Sequence, residues 1–159
     1  MFKNQGDAVK EWLKAYRSNE ERIDKQLDKL RTLRARMMSV GAKELSDMPR
    51  PPSNANDKLA EYIIQVESLE LSIQRDIEIQ DQSKKVIYEL VEQLDKPEER
   101  NIIICRYVYG MEWSDVLSKV YGDDKKYLQN LDSYRRGMYR VHEDALRKMA
   151  QKWEKSNCK

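Results

Sequence analysis

Val9, Tyr16, Ile23, Leu30 and Met37 recur every seven residues along a stretch with no proline and no glycine between Gly6 and Gly41. A seven-residue apolar repeat kept over about four heptads commits a chain to a long helix whose stripe another helix must cover. Residues 7–40 are expected to form that helix, with Asp7 as its cap. The companion row holds Leu13 and Leu27 but also Glu20 and Arg34, so the seam is imperfect. A second heptad row runs Leu59, Val66, Ile73, Gln80, Ile87, Leu94, flanked by Tyr62, Ile63, Leu69, Ile77, Leu90 and Val91. It predicts a second helix from a cap at Asn56 or Asp57 to about Leu94. Each helix would hold roughly 35 residues and reach about 50 Å. Polar residues from Asp76 to Lys85 interrupt the second seam. There Gln80 and Ser83 either fix register or oligomeric state, or mark a bend.

Between the two rows, residues 41–57 read "GAKELSDMPRPPSNAND". Pro49, Pro51 and Pro52 cannot sit in a helix interior, so the stretch reads as a semi-rigid connector that turns the chain back. A proline-rich ligand for a partner is the rival reading. Matched lengths across such a connector predict an antiparallel, coiled-coil-like hairpin, with self-association as the alternative. Neither helix can bury its stripe alone, so the pair must pack on itself, on the rest of the chain or on a second copy. Arg31, Arg34 and Arg36 near the end of the first helix read as a solvated last turn that complements the helix dipole, rather than as phosphate contacts.

The chain has 159 residues, 40% apolar and 36% charged, with five Gly and four Pro. Leu, Ile, Glu, Lys and Arg at helical spacing place it in the all-α class. No apolar run approaches about 18 residues, so no membrane span is expected. The N-terminus "MFKNQGDAVKEW" lacks the apolar core of a secretory signal, so the expected location is the cytoplasm. Cys105 sits in an apolar run and reads as a small core residue, Cys158 as part of a tail, and no disulfide is expected between them. The net charge of +2 hides a segregation. Residues 1–56 carry 12 basic and 8 acidic side chains, a balance of +4, and residues 57–99 carry 5 and 12, a balance of −7. Residues 100–132 are even at 5 and 5, and residues 133–159 carry 8 and 3, a balance of +5. A basic final helix is what phosphate contact requires.

The last third supplies the grammar of a reader. Pro97 and two acids announce a third helix capped by Asp95, "IIICRYVYG" is apolar almost all round, and Gly110 ends it. Ser114 is expected to cap a short helix carrying Val116, Leu117 and Val120, with Trp113 as its packing anchor. "GDDKKYLQNLD" reads as a loop or short turn, and Asp132 or Ser133 as the cap of a final helix. That helix turns Met138, Val141, Ala145, Leu146, Met149 and Trp153 inward, leaving Arg135, Arg136, Tyr139, Arg140, Glu143 and Arg147 on or beside the outer face. Short helix, turn and basic helix in this order predict a helix-turn-helix. Residues 1–95 are thus read as the hairpin and residues 96–159 as a helix-turn-helix domain.

At these residues the chain resembles region 4 of the sigma-70 class of bacterial transcription initiation factors. It is more similar to the small sigma-like regulators of phages and prophages of low-GC Gram-positive bacteria, the ArpU/RinA-like late-gene activators. "PEERNIIICRYVYGMEWSDV", "YRVHEDAL" and "ALRKM" carry the likeness, which spans residues 94–149. The resemblance implies a recognition helix in the major groove, with Arg135, Arg136, Tyr139 and Arg140 at the positions that read bases. Arginine suits either role there, bonding guanine bidentately or clamping phosphate. Ser133 and Arg147 are further candidate contacts on the same helix. "GDDKKYLQNL" makes the connection before that helix roughly ten residues longer than the family's turn, which leaves Lys125 and Lys126 as candidate backbone contacts from a loop. The polymerase-binding regions of a full sigma factor have no counterpart, so an autonomous sigma factor is not expected.

His142, the lone histidine, has no Cys, Ser or metal-ligand partner at useful spacing and reads as a packed or surface residue. No phosphate-binding glycine loop and no paired carboxylates occur, so neither an enzyme nor a bound cofactor or metal is expected. The leading expectation is a DNA-binding regulator acting in a bacterial host. Its partners would be double-stranded DNA, RNA polymerase, and a second copy met through the long helices. The alternatives are a protein-binding module that targets polymerase or another partner without reading sequence, and a small terminase-like DNA-packaging subunit.

Overall fold

The structure, a computed structural model, describes residues 5–44 and 55–157. Helices account for all regular structure among the described residues, with no strand. They are α1 (Gln5–Glu44), α2 (Ala55–Glu92), α3 (Pro97–Ile103), α4 (Trp113–Tyr121) and α5 (Leu131–Asn157). No helix among the described residues is long and apolar enough to cross a membrane. The prolines of the connector and Cys158 lie outside the described residues.

The all-α expectation holds, while several boundaries move. Gly41 does not end α1, which runs on to Glu44. A helical glycine costs only about 1 kcal/mol, a fraction of what proline costs, so it weakens a helix end without stopping it. Asp7, Asp57 and Asp132 lie within the first turns of their helices rather than at caps, and Asn56 and Ser133 are likewise already helical. There an acid favours the positive end of the helix dipole. Asp95 does not cap α3, because Lys96 holds that position without a side-chain bond. Pro97 supplies the start by its preset φ and missing N–H. Glu112, not Ser114, occupies the cap position of α4, again with no side-chain bond.

The chain divides into two compact units, one comprising Met1–Ser18 with Asp81–Lys159, the other Asn19–Gln80. In the second unit, Leu30, Leu33, Val66 and Ile73 form the core, with Leu27, Tyr62 and Leu69 packed on it. Asn19 Nδ2 donates to Gln80 Oε1 at 2.9 Å, Arg22 reaches Asp76 at 2.9 Å, and Arg34 pairs with Glu70. Numbers on α1 rise in these pairs as those on α2 fall. Gln80 is buried, so its bond to Asn19 holds register in a seam where a lone amide would go unsatisfied.

The first unit has two cores that share α3 and α5. One gathers Val9, Leu13 and Tyr16 of α1, Ile87, Leu90 and Val91 of α2, Ile103, and Ala145, Leu146 and Met149 of α5. The other gathers Ile102, Cys105, Val116, Leu117, Tyr127 and Met138. The first heptads of α1 are thus covered by α5, in keeping with a stripe that cannot be left in water. "ICRYV" leaves α-helical geometry for a π-helical turn over Ile104–Val108. Gly110, at φ 65°, then reverses the chain in the left-handed region that glycine enters at least cost.

Candidate nucleic-acid interface

Along α5, burial switches sides partway. Near the N-terminal half, Met138 is fully buried while Arg135, Arg136, Tyr139 and Arg140 are exposed. Further along, Ala145, Leu146, Met149 and Ala150 are buried, and the backbone of Gly6 backs onto Leu146 and Arg147. The outer face of α5 is therefore open at its N-terminal half and covered by α1 beyond it. At 100° per residue, Arg135, Tyr139, Arg136 and Arg140 span about 140° of the open half.

Packing behind this face holds it in place. The Trp113 ring stands edge-on to Tyr139 (centroids 5.2 Å apart) and to His142 (4.8 Å). The guanidinium of Arg106 covers Trp113 at 4.8 Å and donates to the Met111 carbonyl at 2.8 Å, tying the turn after Gly110 to the start of α4. His142 is 2% exposed, and burial drives its pKa down to about 4, so it is neutral near pH 7. Its Nδ1 faces the Glu143 carboxylate at 3.6 Å and its Nε2 lies 2.9 Å from the Tyr107 phenol. A carboxylate only accepts, which assigns the proton to Nδ1 and makes Nε2 the acceptor from Tyr107. Burial pushes the Tyr107 phenol up to about 12, so it keeps the proton it donates. His142 is the packed residue of the two readings its sequence position left open.

The connection from Gly122 to Asn130 is a chain of turns, closed by bonds from the N–H groups of Asp124, Tyr127, Gln129 and Asn130 to carbonyls three residues back. Asp124 accepts from the Lys126 N–H at 3.0 Å. Hydrogen bonds from the Tyr134 phenol and that N–H hold the Asp124 carboxyl below its usual range. Tyr127 is buried in the second core and meets Tyr134 edge-on at 5.8 Å, so the long connection is anchored at its middle. A tyrosine inside a polar loop was the signal for this anchor, and sequence reasoning passed over it.

The structure brings some of the expected contacts together and sets others apart. Arg135, Arg136, Tyr139 and Arg140 share one surface, where Arg135 lies 3.5 Å from Asp132. Ser133 is exposed and lines a shallow depression with Glu98, Tyr121, Tyr134, Gly137 and Val141. Lys125 and Lys126 are exposed on the turn before α5. Arg147 stands twelve residues beyond Arg135, about 18 Å along the helix, and bonds Asp144 at 3.2 Å. Lys119, exposed on α4, was not among the expected contacts. Residues 113–140 carry six cations (Lys119, Lys125, Lys126, Arg135, Arg136, Arg140) against four acids (Asp115, Asp123, Asp124, Asp132), a balance of +2. Among the described residues no three His, Cys, Asp or Glu side chains cluster as a metal site would need. No family model, no curated protein and no solved structure matches this chain.

Proposed function

We propose that the protein is a DNA-binding transcriptional regulator of the phage or prophage type. In this reading α4, the anchored turn and α5 act as a helix-turn-helix like sigma-70 region 4. The long helices form a hairpin that serves for pairing or for contact with RNA polymerase. One observation carries it: Arg135, Arg136, Tyr139 and Arg140 stand together on the open half of α5, while the opposite side of that half is locked by Met138, His142 and Trp113. A recognition helix needs that combination, since side chains that read base edges must project from a helix that does not rock. Arg135, Arg136 and Arg140 supply donors for guanine or phosphate, and Lys119, Lys125 and Lys126 supply flanking backbone contacts.

The test is selection of bound duplexes from a random library, wild type beside Arg135→Ala/Arg136→Ala/Arg140→Ala. The wild type should enrich a motif that the triple variant loses. Affinity should fall with salt, and the variant's slope of log K against log salt should be shallower by up to about 3, near one per lost phosphate contact. No enrichment at low or physiological salt would sink sequence recognition. A second reading, docking on a protein surface, draws support from the modest excess of six cations over four acids around α4 and α5. It predicts polymerase capture that survives the triple substitution.

A further inference from the structure

Of the four side chains that share the open half of α5, one is held and three are loose. Among the described residues, Arg136 and Arg140 make no hydrogen bond or ion pair, and Arg135 has one exposed pairing, 3.5 Å from Asp132. Long side chains left this way keep most of their rotamer freedom. Tyr139 is 40% exposed, and its ring is fixed edge-on against Trp113 at 5.2 Å and 71°. Trp113 is fixed in turn by the Arg106 guanidinium 4.8 Å over its ring and by the buried His142 ring at 4.8 Å. Both supports start from the π-helical turn: Arg106 covers Trp113 directly, and its neighbour Tyr107 bonds His142. That turn closes through the Tyr109 N–H on the Ile104 carbonyl, five residues back, at 3.0 Å. Its extra residue shifts the side chains beyond it by about 100° relative to an α-helix, a rare geometry that recurs at functional sites.

The Tyr139 hydroxyl bonds nothing among the described residues. A phenylalanine would pack on Trp113 as well, so the fold does not account for that oxygen. We propose that the four residues divide their roles: Tyr139 reads one base pair through its hydroxyl, Trp113 is its positioning residue, and Arg135, Arg136 and Arg140 hold phosphates. This deepens the DNA reading proposed above and rests on it. Base edges are told apart by geometry, which a fixed ring keeps and a loose guanidinium gains only after its rotamers are ordered. Phosphate contact sets register and carries no sequence, so loose cations serve it. The acids beside this corner are engaged: Glu112 faces Arg106 at 3.7 Å, Asp132 faces Arg135 at 3.5 Å, and Glu143 faces Lys10 at 3.2 Å.

The full-length chain tests this by selection from a random duplex library, followed by titration of the selected site and its single-base variants. Tyr139→Phe keeps the ring and should cut the preference at one position by about three- to tenfold, the worth of one hydrogen bond. Preferences elsewhere, and the slope of log K against log salt, should stay as in the wild type. Trp113→Leu should relax that same position, and Tyr139→Phe/Trp113→Leu should relax it no further, because the two act as one unit. Trp113→Phe, which retains a ring, should keep most of the preference. Arg135→Ala, Arg136→Ala and Arg140→Ala should each weaken all duplexes alike and reduce the slope by about one. Far-UV circular dichroism shows which variants are folded, and if Trp113→Leu is not, Tyr139→Phe decides alone. A motif that Tyr139→Phe leaves unaltered overturns the proposal while the DNA reading stands, and so does an arginine variant that relaxes a single position. A wild type that enriches no motif overturns both.

Discussion

His142 is the one histidine in the chain, which makes its burial measurable by pH alone. Its folded pKa is lowered to about 4 by burial, against about 6.5 in an unfolded chain. For a base with a depressed folded pKa, the unfolded state takes up the proton first. Stability is therefore full above the unfolded value and falls as pH drops from about 6.5 toward about 4. Between pH 7 and pH 5 the loss should be about 2 kcal/mol, a window in which unperturbed carboxylates contribute little. Urea unfolding at the two pH values checks this, and His142→Phe should flatten the difference. An unchanged slope in that variant would place the proton uptake elsewhere. Glu99 offers a second residue-scale test. It is 2% exposed, and its Oε1 accepts from Lys148 Nζ at 2.6 Å, while its Oε2 is buried without a hydrogen-bond partner. Lys148→Met would strand a buried carboxylate, and stranding a charge destabilises more than removing the pair. Lys148→Met should thus lower the urea midpoint further than Glu99→Leu/Lys148→Met does. The opposite order would mean that the pair itself, rather than the desolvated charge, sets the stability there.

At the scale of elements, Gly110 is the hinge on which α3 gives way to α4. Its φ of 65° suits glycine, and a methyl group added there would also run into the Arg17 guanidinium of α1. Gly110→Ala should cost about 1–2 kcal/mol from the left-handed backbone, with further loss if the Arg17 side chain cannot swing aside. Thermal unfolding of Gly110→Ala beside Gly41→Ala is the comparison that checks it. Gly41 lies within α1 with open space where a Cβ would stand, so its substitution should stabilise. The same two glycines show what could be read before the structure. Gly110 was legible as a terminator because it closes an apolar run next to a second start signal. Gly41 was misread because glycine only weakens a helix, and nothing in the local sequence says whether the next turn continues. The heptad rows were legible because burial acts on every repeat, as Leu13, Ile23, Leu30, Val66 and Ile73 show. Caps were not, because Asp95 and Ser114 are good candidates by type, yet the starts of α3 and α4 use Pro97 and backbone geometry instead. The face of α5 followed from its period. The covering of its far half by α1, and the distance this puts between Arg147 and Arg135, is a tertiary fact that no local pattern carries.

At the scale of the whole molecule, the division into units means that a middle segment of the chain can be removed as a block. Residues Asn19–Gln80 form one unit, and its two ends lie side by side, since Asn19 and Gln80 are hydrogen-bonded at 2.9 Å. Packed helices sit about 8–10 Å apart, and a linker of about five residues spans that gap with slack. All three tryptophans, Trp12, Trp113 and Trp153, belong to the remaining unit, and Trp12 stands edge-on to Trp153 at 4.7 Å. That unit also keeps both cores that hold α5. A chain in which Asn19–Gln80 is replaced by a short Gly/Ser linker should therefore fold, with the near-UV circular dichroism of its tryptophans retained and a single cooperative urea transition. It loses most of both long helices while keeping Arg135, Arg136, Tyr139 and Arg140. Where the long helices pair copies, as proposed above, it should sediment as a monomer, and any DNA motif it enriches should shrink to one half-site. Collapse of the tryptophan signal would show that the first turns of α1 need the heptads that follow them to stay helical. In that case the seven-residue repeat would act as one cooperative element through both units, and the block would not be removable.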